Sequence, residues 1–176
     1  MEIQMKAVGT IMIILGCFLF GCMQANQLKR RLKRLEMISQ SFVILETQID
    51  YAFMSILEGF EKIGHETNEP QISRFYLEMA EQLRKNNEIS FSKVWKDGTV
   101  HNLCTDVLTT EDCLLIQQIG DMPLYLNKEI QLTMIRSVRT KMNERIRMIE
   151  KECKVKCKIY RVTSLAAGFM CVLLLI

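Results

Sequence analysis

Apolar and charged residues fall in blocks along this chain rather than alternating with period two, and the blocks predict helices. Ala7 to Ala25, AVGTIMIILGCFLFGCMQA, is nineteen residues without a charge. As a helix rising about 1.5 Å per residue it would extend roughly 28 Å, enough for a bilayer core. Val162 to Ile176, VTSLAAGFMCVLLLI, is a second uncharged run, of fifteen residues. It would rise only about 22 Å, so spanning requires local thinning or help from Ile159, Tyr160 and a snorkelling Arg161. Each end has a competing reading. At the first, Lys6 before an apolar stretch, and Leu19-Phe20-Gly21-Cys22 as a lipoprotein-like cleavage box, suggest a cleaved leader. The bulk of Phe20 and the basic residues that follow favour a retained anchor. At the second, a short apolar run also fits a buried core helix.

Between the two runs the period is helical. Leu28, Leu32, Leu35, Ile38, Phe42, Leu45 and Ile49 recur at steps of three and four and give one apolar face. Asp50 to Ser55 reads as a corner, with Ser55 and Glu58 as a capping box for a second helix that Gly64 ends. Asn68 and Pro70 supply a cap and a first-turn proline for a third helix carrying Ile72, Phe75, Tyr76, Met79 and Leu83, ended by Asn86-Asn87. A short element with Phe91, Val94 and Trp95 closes at Asp97-Gly98. Thr109 and Asp112 start another, and Gly120 with Pro123 makes the next corner. From Leu124 the positions Ile135, Val138, Met142, Ile146, Ile149, Cys153, Cys157 and Tyr160 advance by threes and fours into the final run, without Gly or Pro. The expected fold is all-α, a helical bundle between an N-terminal and a C-terminal transmembrane helix. Its boundaries are 1–26 for the first anchor, 27–161 for the cytoplasmic helical domain and 162–176 for the second.

Composition changes this picture in two places. A chain of 176 residues with two prolines and eight glycines has room for one modest domain and few natural breaks. A net charge of +3 is too small to imply nucleic-acid binding, but its placement is informative. Lys29, Arg30, Arg31, Lys33 and Arg34 leave the first apolar run, and Lys154, Lys156, Lys158 and Arg161 enter the second. Both clusters lie on the inner sides, so the positive-inside rule puts the intervening domain in the cytoplasm, with the clusters at the membrane interface near anionic headgroups. Seven cysteines give no disulfide framework, because Cys17, Cys22 and Cys171 lie in apolar runs and Cys153 and Cys157 on a helical stripe. Free thiols of a reducing compartment are expected.

Residues able to carry chemistry are sparse. His65 and His101 sit in predicted loops far apart, and Cys153-x-x-x-Cys157 supplies two thiols where structural zinc wants four ligands. Glu58, Glu61, Glu111 and Asp112 stand near helix starts, where the macrodipole already favours acids. There is no phosphate-binding glycine loop, nucleophile elbow or His-Glu helix motif. The expectation is a non-enzyme with no cofactor and no metal. The alternative is a membrane-surface enzyme or a lipid or redox sensor, motivated by the basic clusters and the paired cysteines.

Leu45-Glu46-x-x-Ile49-x-Tyr51, followed by Ile56-Leu57 and later by Phe91-x-x-Val94-Trp95, resembles the stage III sporulation protein AB family over almost the whole chain. The order of these features along a chain of this size carries the resemblance. Ser55 stands where the family usually has proline, and Pro123 and Asn127 replace an Asp and Gln signature expected after Gly120. The resemblance implies a bundle similar to type II secretion F proteins, in a platform of the complex linking mother cell and forespore. Its partners would be a cytoplasmic ATPase, the sporulation AA protein, and membrane proteins of the same operon. The location implied is the mother-cell membrane facing the forespore, crossed twice. Glu46 and Tyr51 match the family signature and become candidate partner-binding residues, with corner packing and hydrogen bonding as the plainer reading. Self-association remains open.

Overall fold

The computed structural model describes residues 2–85, 90–104, 107–122 and 127–175, with side chains described for all of these except 2–8, 10, 11, 13, 14, 161, 165, 168, 169 and 171–175. Among them every regular element is helical: α1 (Glu2–Asp50), α2 (Ile56–Glu66), α3 (Pro70–Lys85), α4 (Phe91–Gly98), a π-helical turn (Thr99–Leu103), α5 (Thr110–Gln117), a 3₁₀ turn (Gln118–Asp121) and α6 (Lys128–Leu175). Two compact units result, one of Met1–Leu32 with Arg147–Ile176 and one of Lys33–Ile146.

The unit of Lys33–Ile146 is built on the stripes the sequence shows. Ile38, Phe42, Leu45 and Ile49 of α1 and Leu132, Ile135, Val138 and Met142 of α6 are buried in one core with side chains of α2, α3, α4 and α5. Trp95 is its centre. It is fully buried, packs edge-on to Phe75 at 4.9 Å between centroids and against Phe60 at 5.5 Å, and donates its indole N–H to the Ile116 carbonyl at 2.9 Å. An indole buried this deeply needs such an acceptor. Nearby, the Ser41 hydroxyl donates to the Ile38 carbonyl at 2.7 Å, which leaves its oxygen to accept from the Tyr76 hydroxyl at 2.7 Å. Burial pushes the Tyr76 phenol well above its ordinary range.

Both expected capping boxes form, Ser55 with Glu58 and Thr109 with Asp112. The glycines meet the expectation unevenly. Gly64 does not end α2, which runs on to Glu66; α4 does close at Gly98 as expected, with the chain passing directly into the π-helical turn. No described glycine has a positive φ. A Cβ at Gly64 would lie 2.6 Å from Leu77 Cγ, one at Gly98 2.3 Å from Met79 Cε, and one at Gly120 3.0 Å from Trp95 Cδ1. These glycines allow close packing rather than turns. Pro70 is the first residue of α3 as expected, but the carbonyl receiving the Ser73 N–H belongs to Glu69, one residue past the expected Asn68 cap. The Asn86-Asn87 stop and the Pro123 corner lie outside the described residues. Asn127 is described, and its side chain accepts the Glu129 N–H at 3.4 Å at the start of α6.

In the unit of Met1–Leu32 with Arg147–Ile176, Ala25 packs with Cys153 and Cys157, and Leu28 lies against them. Gly21 faces the other helix so closely that a Cβ there would stand 2.3 Å from Ser164 Oγ and 2.8 Å from the Tyr160 carbonyl oxygen. Among the described residues no helix is long and apolar enough to cross a membrane. The side chains of 7, 8, 10, 11, 13, 14 and 171–176, which make up much of the two apolar runs, lie outside that description.

Candidate partner-binding site

The corner after α1 is fixed by charge. Glu46, near the end of α1 and only 15% exposed, accepts from Arg136 Nε at 2.6 Å and from Arg139 at 3.0 Å. One turn on, Asp50 accepts from Arg136 Nη2 at 2.9 Å and lies 3.5 Å from Lys128 Nζ. Lys128 also donates to the Asp50 backbone carbonyl at 2.6 Å. Because Glu46 and Asp50 are four residues apart they share a helix face, as do Arg136 and Arg139 on α6, and two acids therefore meet three cations. Hydrogen bonding to Glu46 first, and the nearby charge of Asp50 after it, raises the Arg136 guanidinium above its usual value.

What this lattice holds up is a pair of exposed aromatic rings. Tyr51 is 80% and Phe53 82% exposed. The backbone between α1 and α2 is tied by Tyr51 N–H to the Thr47 carbonyl at 3.0 Å and Met54 N–H to the Gln48 carbonyl at 3.1 Å. Phe53 has φ 54°, the left-handed region, where a bulky L side chain is disfavoured. Lys128 Nζ sits 4.1 Å from the Phe53 ring centroid, a cation–π contact worth about 0.5–1 kcal/mol at an exposed site. Immediately after, the Ser55–Glu58 box starts α2, and the Ser55 backbone and hydroxyl donors lower the Glu58 carboxyl from its ordinary value.

The two expected residues therefore come together in one corner with different duties. Glu46 is consumed inside the lattice, while the Tyr51 ring stands in solvent. The pattern of the chain did not single out Phe53 or Lys128. The signal for Phe53 is a Tyr-Ala-Phe-Met run at a place where the turn chemistry calls for Gly or Asn, and Lys128 carries none.

The expected basic residues separate by unit. Lys29, Arg30, Arg31, Lys154, Lys156 and Lys158 belong to the unit containing the chain ends, where Lys154 pairs with Glu150 at 2.9 Å and Lys156 with Glu152 at 2.7 Å. Lys33 and Arg34 belong to the other unit, where Arg34 lies 3.3 Å from Glu69. The Arg161 side chain is outside the description.

The cysteine reading needs a correction: Cys104 and Cys113 are joined by a disulfide, with Cα atoms 5.8 Å apart. The π-helical turn, which the helical period did not show, delivers Cys104 to Cys113 on α5. Cys17, Cys22, Cys153 and Cys157 form no disulfide. Asp112, beside Cys113, is fully buried, and its carboxylate faces Arg145 Nε at 3.4 Å while Glu111 pairs with the same guanidinium. Among the described residues no group of three or more His, Cys, Asp or Glu gathers as a metal site. His65 and His101 are both exposed.

Residues 6–176 match the family described as stage III sporulation protein AB. No curated protein matches, and no solved structure matches.

Proposed function

The chain belongs to the stage III sporulation protein AB family, which implies a role in sporulation, and on that premise we propose that it is a non-enzymatic membrane platform linking a cytoplasmic ATPase to membrane partners. In this reading the two apolar runs cross the mother-cell membrane facing the forespore, the central helical domain lies in the cytoplasm, and that domain is of the type II secretion F kind. The observation that carries the platform role is the corner of Tyr51 and Phe53. Two large exposed rings on a backbone held by five charged side chains are the anchors that protein interfaces favour, since aromatic residues dominate binding hot spots. The sporulation AA ATPase is the partner proposed for them.

The membrane crossing is supported by the uncharged run of Ala7–Ala25, by the basic residues that follow it, and by the close approach of Gly21 to Ser164. Small residues at a helix contact are how helices associate in lipid, where no hydrophobic drive exists between them. The test is co-purification of the full-length protein with the ATPase, alongside a Tyr51→Ser/Phe53→Ser variant. Retention by the wild type and loss by the variant is expected. Equal retention by both would move the contact elsewhere, and normal spore formation after clean deletion of the gene would end the platform reading.

A further inference from the structure

In the unit formed by the chain ends, Lys29 of α1 and Cys153, Lys154, Cys157, Lys158 and Val162 of α6 line a notch of ≈ 440 Å³. That volume lies in the range of small-ligand sites, about 300–1,000 Å³. Three ammonium groups at its rim come from two different helices. Lys154 is paired with Glu150, but Lys29 and Lys158 have no carboxylate partner among the described residues. The floor is thiol: Cys153 and Cys157 Sγ lie 3.4 Å apart, and Cys157 donates toward the Ala25 carbonyl oxygen at 3.6 Å. Burial, then the neighbouring Cys157, pushes the Cys153 thiol up, so the floor brings no anion to compete for the lysines. On one side stands Val162, the first residue of the C-terminal apolar run.

We propose that this notch is a binding site for one anionic phospholipid, its phosphate between Lys29 and Lys158, its headgroup over the two thiols and its acyl chains running past Val162. The assignment rests on the membrane reading above. Charge complementarity selects the occupant. Two unneutralised cations flanking a neutral floor attract a phosphate, and Val162 at the edge, where the C-terminal apolar run begins, suits acyl chains rather than a free ion. Basic pockets between helices at a membrane surface capture headgroups by this combination. Phosphatidylglycerol is the probe.

The full-length protein in mild detergent serves for the test. Flotation with phosphatidylcholine vesicles comes first, and protein that stays behind in the soluble fraction overturns the membrane reading itself. For protein that floats, native mass spectrometry counts retained lipid. One bound phosphatidylglycerol is expected, retained in preference to phosphatidylcholine. Its apparent affinity should fall about fivefold in Lys29→Gln and again in Lys158→Gln, the worth of one basic residue near an anionic surface. Arg30→Gln, an exposed neighbour in the same basic cluster that does not line the notch, should lower it by much less than Lys29→Gln. Equal losses in Lys29→Gln and Arg30→Gln would mean diffuse attraction and overturn the site, as would equal retention of both lipids. Displacement of the lipid by an equal concentration of inorganic phosphate would overturn the lipid assignment.

Discussion

Replacing Glu46 by Gln and Tyr51 by Ser separates structure from recognition at the corner. Glu46 gives both carboxylate oxygens to guanidiniums, at 2.6 Å to Arg136 and 3.0 Å to Arg139. A glutamine keeps one acceptor and turns two N–H donors on an arginine. Hydrogen bonds to charged groups contribute about 1.5–3 kcal/mol each when enclosed. Arg136 is 48% exposed, so water replaces its lost partner at little cost. Arg139 is the more enclosed at 30%, and its Nε is already buried without a hydrogen-bond partner, so the loss falls mainly there. The expected destabilisation is about 1–3 kcal/mol. For a unit of this size roughly 4 °C accompanies each kcal/mol, giving a drop in Tm of about 4–12 °C. Tyr51→Ser removes a side chain 80% in solvent and should change stability by less than about 0.5 kcal/mol. Binding should show the reverse: a hot-spot loss of about 2 kcal/mol, near thirtyfold, for Tyr51→Ser, and little change per folded molecule for Glu46→Gln. Thermal melts followed by circular dichroism and a titration with the purified ATPase measure both. A Glu46→Gln protein that melts like wild type yet no longer binds would refute the assignment of Glu46 to the interior of the lattice.

Trp95→Phe should cost about 2–4 kcal/mol, from lost volume at a fully buried site and the lost bond to Ile116, the latter softened because that carbonyl also receives the Gln118 N–H; urea unfolding with unchanged m measures it. Reducing Cys104–Cys113, or the Cys104→Ser/Cys113→Ser variant, opens a loop of sequence separation nine and should lower stability by about 2–3 kcal/mol on the chain-entropy account; identical melts with and without reductant would contradict it. The Glu58 and Glu78 carboxyls are held below their ordinary values, Glu58 by Ser55 and Glu78 first by Arg74. A depressed folded-state value gives stability that is present above the unfolded pKa, about 4.3 for Glu, and lost as pH falls through the lower folded value. Acid melts of Glu78→Gln should therefore show a shallower loss below about pH 4.3 than wild type. Phe53→Asn, better suited to the left-handed region, should hold or raise stability by up to about 1 kcal/mol while weakening ATPase binding.

The long-range plan was legible because it rests on periodicity. A stripe such as Ile38, Phe42, Leu45, Ile49 can bury itself only as a helix, and the Ser55–Glu58 and Thr109–Asp112 boxes mark helix starts by local hydrogen bonding alone. Gly64 misled because a sequence shows the missing side chain without showing what fills the space. The occupant there is Leu77, thirteen residues on. The Cys104–Cys113 bond depends on the π-helical turn, in which Thr99, Asn102 and Leu103 are buried and which has no period to announce it. Of the candidate site, Glu46 and Tyr51 were visible. The cations were not, since Arg136 reaches Glu46 from 90 residues away and Arg139 from farther still, while Lys128 reaches Asp50 from 78.

The conformation of Phe53 argues most directly for a partner. The fold requires a left-handed residue there to turn from Asp50 into the capped start of α2, and a glycine or asparagine would adopt it with little strain. A phenylalanine costs about 1–2 kcal/mol more in that region. Burial does not repay this, because the ring is 82% exposed, and the Lys128 contact returns only about 0.5–1 kcal/mol. The ring is thus held outward, beside Tyr51, at a net expense to the isolated protein. Strain of this kind persists where a function needs the side chain in place. On the proposed platform role, an aromatic displayed before the partner arrives would lose little further freedom on binding, so the strain at the corner would reappear as affinity rather than as stability.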